Sequence, residues 1–366
     1  MENNKVKQIH DYGQSIWLDF IDREIIKSGK LQKLIDEDGV RGVTSNPAIF
    51  EKAITGSADY DEDIQRLSSD HTDLELLFYQ LAIADIKSAA DLFKPLFNKE
   101  EVKGADGYVS LEVSPRLALD TQSTIAQALK LWKEVDRENV MIKIPGTEEG
   151  LEAIRYCIEQ GININVTLLF GLDRYQAVTE AYISGLESRF NQGLPIADIS
   201  SVASFFLSRI DVLVDPLLDE QGLGELKGEV AIASAKTAYQ LYKQIFSTER
   251  WRRLEAAGAK PQRLLWASTS SKNPAFKATK YVDALIGPNT VNTVPLETIE
   301  AFREDGTPAN TLETDLDKAA DTLERIKAAG IDLDQVTKQL EEEGIEKFIT
   351  PYSKLIDAIE QQVKHL

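Results

Sequence analysis

The chain has 366 residues, 43% hydrophobic and 28% charged, which is apolar material enough for a large core and excludes global disorder. Its 41 Lys and Arg stand against 60 Asp and Glu, and the net charge of −19 argues against nucleic acid or an anionic membrane surface as partner. The opening segment MENNKVKQIHDYGQ lacks the apolar region of a secretory signal, and no apolar run approaches the roughly 18 residues of a membrane span, so a soluble cytoplasmic protein is expected.

Short apolar segments alternate with longer amphipathic ones. The predicted strands are SIWLDF (15–20), GVTSN (42–46), YVSLEVS (108–114), VMIKIP (140–145), NINVTLLF (163–170), SVASFFLS (201–208), RLLWAS (263–268) and YVDALIG (281–287). A helical insertion is predicted over 51–104, between strands two and three. After strand four, Leu151, Ile154, Cys157 and Ile158 share one helical face, which makes Cys157 a core residue rather than a reactive one. From about 296 to 366 the chain reads as helical, and TLETDLDKAADTLERIKAAG carries charge pairs four apart before ending at Gly330. No linker-like composition sets this tail apart, so a single domain over 1–366 with packed C-terminal helices is expected. Strands alternating with helices predict a parallel sheet, and eight of them predict a (β/α)8 TIM barrel, with an open doubly wound sheet as the alternative.

In a barrel strand, alternate residues face the interior and the rest face the helices. Strand five divides into Asn163, Asn165 and Thr167 on one face and Ile164, Val166 and Leu168 on the other, so the polar face must line the interior. The same parity turns Met141 and Lys143 inward on strand four, Ser110 and Glu112 on strand three, and Ser15, Trp17 and Asp19 on strand one. Taken singly, an inward carboxylate is as readily a salt bridge at the barrel floor, and Lys143 could pair with Glu112 merely to fill space. Barrel interiors are normally packed with branched apolar side chains, however, and burying several ionisable groups costs several kcal/mol unless they satisfy one another. Their convergence points to chemistry.

The residue inventory narrows that chemistry. One cysteine excludes an intrachain disulfide and a CxxC site, and three histidines (His10, His71, His365) stand where no HExxH motif or Ser-His-Asp triad can use them. No GxxxxGK[ST] or GxGxxG string supports a nucleotide site. An amine held among apolar neighbours is available as a nucleophile toward a ketone, and the iminium that forms is an electron sink for breaking the adjacent carbon–carbon bond. Neighbouring carboxylates would move the protons. Two other classes stay open: a metal-dependent barrel enzyme with Asp19, Glu112 and Asn165 as oxygen ligands, and a non-catalytic binding protein on a barrel scaffold.

Five strings in order, GVTSNPAIFEKAI (42–54), VSLEVSP (109–115), VMIKIPGTEEG (140–150), GININVTLLF (161–170) and SFFLSRID (204–211), give the chain its resemblance to the transaldolase family, in its longer bacterial branch. The likeness runs from about Ser15 to Pro295. It implies Lys143 as the Schiff-base lysine, Asp19 as the acid/base for carbon–carbon cleavage, and Glu112 as the carboxylate that shuttles protons through a water that Thr167 helps to hold. It further implies that Asn46 and Asn165 hold substrate hydroxyls, with Thr44 and Ser110 beside them. Ser204, Phe206 and Arg209 would close over the substrate, Arg209 on its phosphate. Where shorter members carry an arginine after strand seven this chain has SSKNP, so Lys272 would replace it. The bland alternative for Arg209 is an ion pair with Asp211 or Asp215.

The activity the resemblance implies is transfer of a three-carbon dihydroxyacetone unit from fructose 6-phosphate or sedoheptulose 7-phosphate to an aldose phosphate, glyceraldehyde 3-phosphate or erythrose 4-phosphate. This is a step of the non-oxidative pentose phosphate pathway, with sugar phosphates as partners, no cofactor and no metal, in a monomer or homodimer. A fructose-6-phosphate aldolase, releasing dihydroxyacetone instead of transferring it, is the alternative within the same chemistry.

Overall fold

The computed structural model describes residues 4–70, 73–102 and 104–365, and in it eight parallel strands close into a barrel in chain order. They are β1 (Gln14–Asp19), β2 (Gly42–Thr44), β3 (Tyr108–Glu112), β4 (Val140–Pro145), β5 (Ile164–Leu169), β6 (Ser201–Phe206), β7 (Arg263–Ala267) and β8 (Thr290–Val294). Closure is made by β1 and β8, in register from Gln14 opposite Thr290 to Leu18 opposite Val294, so the sheet has no open edge and the doubly wound alternative falls. Nearly every strand residue is buried, as a parallel sheet covered by helices requires. The interior near the N-terminal ends of the strands is filled by Trp17, which leaves no room on the neighbouring strand. A Cβ at Gly42 would lie 2.6 Å from the Trp17 ring, so only glycine fits there.

The eighth strand is not where the sequence reading put it. YVDALIG begins as a short helix, Lys280–Ala284, and the strand is TVNTV at 290–294. The buried residues Tyr281, Val282, Leu285 and Ile286 recur at helical spacing, with the less buried Asp283 and Ala284 between them. Pro288 and Asn289 (φ 58°) then turn the chain into five residues that are β-branched but for one asparagine.

The segment after β2 holds the helices Pro47–Gly56, Asp61–Asp70 and Leu74–Phe97. The chain ends in the helices Leu296–Asp305, Leu316–Ala328 and Leu333–His365. The last runs past the C-terminal ends of the barrel strands. Its Gly344 sits over Leu168 at the top of β5, where a Cβ would come within 3.1 Å of that side chain. Farther on, the Tyr352 ring meets Phe78 edge-on at 5.7 Å, and Gln362 donates to the Ile54 carbonyl at 3.4 Å. One helix thus borders the barrel mouth from β5 to the helix that follows β2. Among the described residues no helix is long and apolar enough to cross a membrane.

Candidate active site

Strand register brings three predicted residues into one row. Glu112 on β3 is opposite Lys143 on β4, which is opposite Asn165 on β5. All three are buried; Glu112 closes β3 and Lys143 lies in the C-terminal half of β4, toward the end at which barrel enzymes carry their chemistry, while Asn165 is the second residue of β5. Lys143 Nζ donates to the Ser45 carbonyl at 2.8 Å and lies 3.4 Å from Glu112 Oε2. The second contact is an ion pair without hydrogen-bond alignment, which leaves Glu112 Oε2 buried with no hydrogen-bond partner among the described residues. Burial pushes the Glu112 carboxyl above its ordinary range; Lys143 pulls it back and Asp19 pushes it up further.

Asp19 stands at the end of β1, paired in register with Thr44 of β2. Thr44 donates its hydroxyl to Asp19 Oδ1 at 2.7 Å and receives one from Thr293 of β8 at 2.6 Å. Burial raises the Asp19 carboxyl, against the pull of Lys143 and the Thr44 hydrogen bond. Two carboxyls and one amine therefore share a low-dielectric interior, and both acids hold their protons more tightly than usual. Carboxyls so placed are suited to passing a proton to and from a reactant.

The amide of Asn165 is clamped at both ends. Its Nδ2 donates to Ser110 Oγ at 3.1 Å, and its Oδ1 accepts from Ser204 Oγ at 2.7 Å, joining β3, β5 and β6. Among the described residues no three His, Cys, Asp or Glu side chains are grouped to hold a metal ion. Thr167, two residues along, has a buried hydroxyl with no hydrogen-bond partner among the described residues. Just beyond it the β5–β6 register shifts and Leu168 takes φ 55°, a backbone state unusual for a branched side chain. Asn46 is half-buried and caps the helix Pro47–Gly56, its Oδ1 accepting from Ile49 N at 3.0 Å.

Arg209 is the second residue of the helix Ser208–Glu220 that follows β6. It pairs with neither Asp211 nor Asp215. Asp211 accepts from Ala231 N at 2.9 Å and Tyr281 Oη at 2.7 Å, and Asp215 accepts from Gly228 N at 2.9 Å. The guanidinium is instead 5.6 Å from the centre of the Phe206 ring and 5.9 Å from that of Phe348, with Nη1 buried and without a hydrogen-bond partner among the described residues. Burial lowers its pKa, and Glu343 restores part of the loss. Lys272 is exposed, donates to Ser270 Oγ at 2.8 Å, and borders a cleft with Ser208, Asp211, Asp215 and Lys227.

The barrel thus holds an amine, two carboxyls and a hydroxyl-amide lattice, with an arginine beyond that makes no ion pair among the described residues. Residues 16–359 match the family described as transaldolase/fructose-6-phosphate aldolase. The chain belongs to that family. It is 49% identical to a transaldolase of Trichodesmium erythraeum, over 100% of this chain and 99% of the other. It is 45% identical to one of Thiobacillus denitrificans (97% and 99%) and 44% identical to one of Saccharopolyspora erythraea (99% and 98%).

Sequence reasoning overlooked three residues that touch these side chains. Ser45 takes part through its carbonyl, which no side-chain pattern reveals. Thr293 escaped because the eighth strand was set at the wrong segment; correct parity on TVNTV would have turned it inward. Tyr79, which donates to the Glu112 carbonyl at 3.2 Å, comes from the long helix Leu74–Phe97, where a tyrosine on an apolar face carries no distinguishing signal.

Proposed function

We propose that this protein is a transaldolase, moving a three-carbon dihydroxyacetone unit from a ketose phosphate to an aldose phosphate through a Schiff base on Lys143. The observation that carries the reading is Lys143, buried in the barrel, 3.4 Å from Glu112 and held by the Ser45 carbonyl. The amine attacks the ketone carbonyl, and the carbinolamine loses water to give an iminium. Glu112 moves protons in that step, aided by the Thr167 hydroxyl; both present buried oxygens without partners, suited to sharing a water. Asp19 then takes the proton of the sugar hydroxyl as the adjacent carbon–carbon bond breaks. The electron pair flows into the iminium, leaving an enamine on Lys143, and the aldose departs. The enamine attacks the acceptor aldehyde, Asp19 returns the proton, and hydrolysis frees the new ketose.

Ser110, Asn165 and Ser204 form a preorganised polar wall for sugar hydroxyls, with Thr44 and Asn46 as further polar groups at and just past the end of β2. Phe206 borders the site, and Arg209 supplies the fork for the phosphate, with Lys272 as a second cation at the rim. A cytoplasmic sugar-phosphate enzyme of the pentose phosphate pathway accords with this chemistry, acting as a monomer or homodimer in which the C-terminal helices are part of a single barrel domain. The test is acceptor dependence. With fructose 6-phosphate and erythrose 4-phosphate the enzyme should form sedoheptulose 7-phosphate, and without the acceptor turnover should stop. Sustained release of free dihydroxyacetone would favour the aldolase reading instead.

A further inference from the structure

We propose that the C-terminal helix Leu333–His365 is part of the phosphate site, with Phe348 as a positioning residue that holds Arg209 in place for the substrate through its ring. The inference rests on the reading of Arg209 as the phosphate ligand and extends it to a segment outside the barrel strands. Three observations carry it. The Arg209 guanidinium lies within cation–π distance of Phe348 as well as Phe206, and its buried Nη1 has no hydrogen-bond partner among the described residues. Glu343, the acid on the helix whose charge acts on Arg209, is occupied, accepting from Lys347 at 2.7 Å and Gln339 at 2.8 Å. Gly344 lets this turn of the helix approach Leu168, so the backbone carrying Phe348 is seated directly on the barrel mouth.

The chemistry explains why rings rather than a carboxylate should do this work. A carboxylate partner would occupy the N–H edge of the guanidinium and compete with phosphate oxygens. An aromatic ring engages the face of the cation and leaves that edge free. It also lets the side chain be held in a buried place at modest cost, while Nη1 stays without a partner until a dianion arrives.

The test compares fructose 6-phosphate with fructose as donor, in the full-length protein, for wild type, Arg209→Ala, Phe348→Leu and a chain with a trifluorinated phenylalanine at 348. Fluorination preserves the ring's shape while removing the negative face that attracts a cation. Both Phe348 changes should raise KM for fructose 6-phosphate about three- to thirty-fold, leave kcat largely unchanged, and leave fructose turnover unaffected. Adding Phe348→Leu to Arg209→Ala should cost nothing further. If Arg209→Ala still discriminates between the two donors as wild type does, the phosphate reading of Arg209 itself fails. If Arg209→Ala loses that discrimination while the fluorinated chain keeps the wild-type KM, Arg209 stands and the role of the Phe348 ring is overturned. Should Phe348→Leu fail to fold, the fluorinated chain, which conserves shape, decides alone.

Discussion

The barrel interior holds buried carboxylates at its floor and at its mouth, and they are treated in opposite ways. At the floor, Asp106 is fully enclosed. Ser15 donates to it at 2.9 Å and Trp17 at 3.2 Å, and Arg41 and Arg263 each lie 3.3 Å away. Burial alone would raise this carboxyl, but the two guanidiniums overcome it and hold the pKa below the ordinary value. At the mouth, Glu112 has one lysine 3.4 Å away, out of line, and an oxygen with no hydrogen bond. There burial wins, and the pKa rises. A satisfied carboxylate is a fixed charge that pins strands together. An undersatisfied one keeps a proton in reach and its geometry open to a reactant. The difference separates scaffold from chemistry without reference to any relative.

Substitution should expose the contrast. Glu112→Gln should lower kcat roughly 10²- to 10⁴-fold by slowing imine formation, the range a positioned acid or base supplies, with the folding midpoint little changed. Asp19→Asn should lose a similar factor at a later step, forming the trapped imine yet failing to cleave. Equal accumulation of the imine in the two variants under quench-flow would contradict that division. Asp106→Ala should do the reverse. It strands Arg263 and Arg41 without their counter-charge and should cost about 3–5 kcal/mol in urea unfolding, while the molecules still folded keep a near-normal kcat. A large kcat defect in Asp106→Ala would erase the distinction between floor and mouth.

A smaller effect concerns Asp211, whose carboxyl is pushed up to about 7 by burial despite hydrogen bonds from Tyr281 and Ala231. The unfolded chain holds this group near about 3.9, so the folded state binds the proton more tightly between those values. Stability from this source is present below about pH 4, is lost as the pH climbs to about 7, and changes no further above it. Asp211→Asn should therefore flatten the decline in melting temperature between pH 5 and 8 relative to wild type. Parallel curves for the two proteins would refute the shift.

The eight-strand barrel and the inward set Asp19, Ser110, Glu112, Lys143 and Asn165 were legible because period-two alternation of polar and apolar residues has one sensible solution in a closed sheet. The family resemblance added roles that alternation could not assign, such as those of Thr167 and Arg209. The eighth strand was misplaced because a short apolar run suits a buried helix turn as well as a strand, and YVDALIG lacks the length to decide. The floor cluster escaped because Asp106 lies in a loop and Arg263 at a strand start, where parity gives no guidance. The reach of the C-terminal helix to the mouth was invisible too, since an amphipathic pattern says that one face is buried but not against what.

The most direct test of the account is borohydride reduction in the presence of fructose 6-phosphate, followed by peptide mass mapping. A three-carbon adduct should appear on the peptide that holds Lys143, and Lys143→Arg should give neither adduct nor turnover, because a guanidinium stays protonated. An adduct on any other lysine, or full activity in Lys143→Arg, would contradict it.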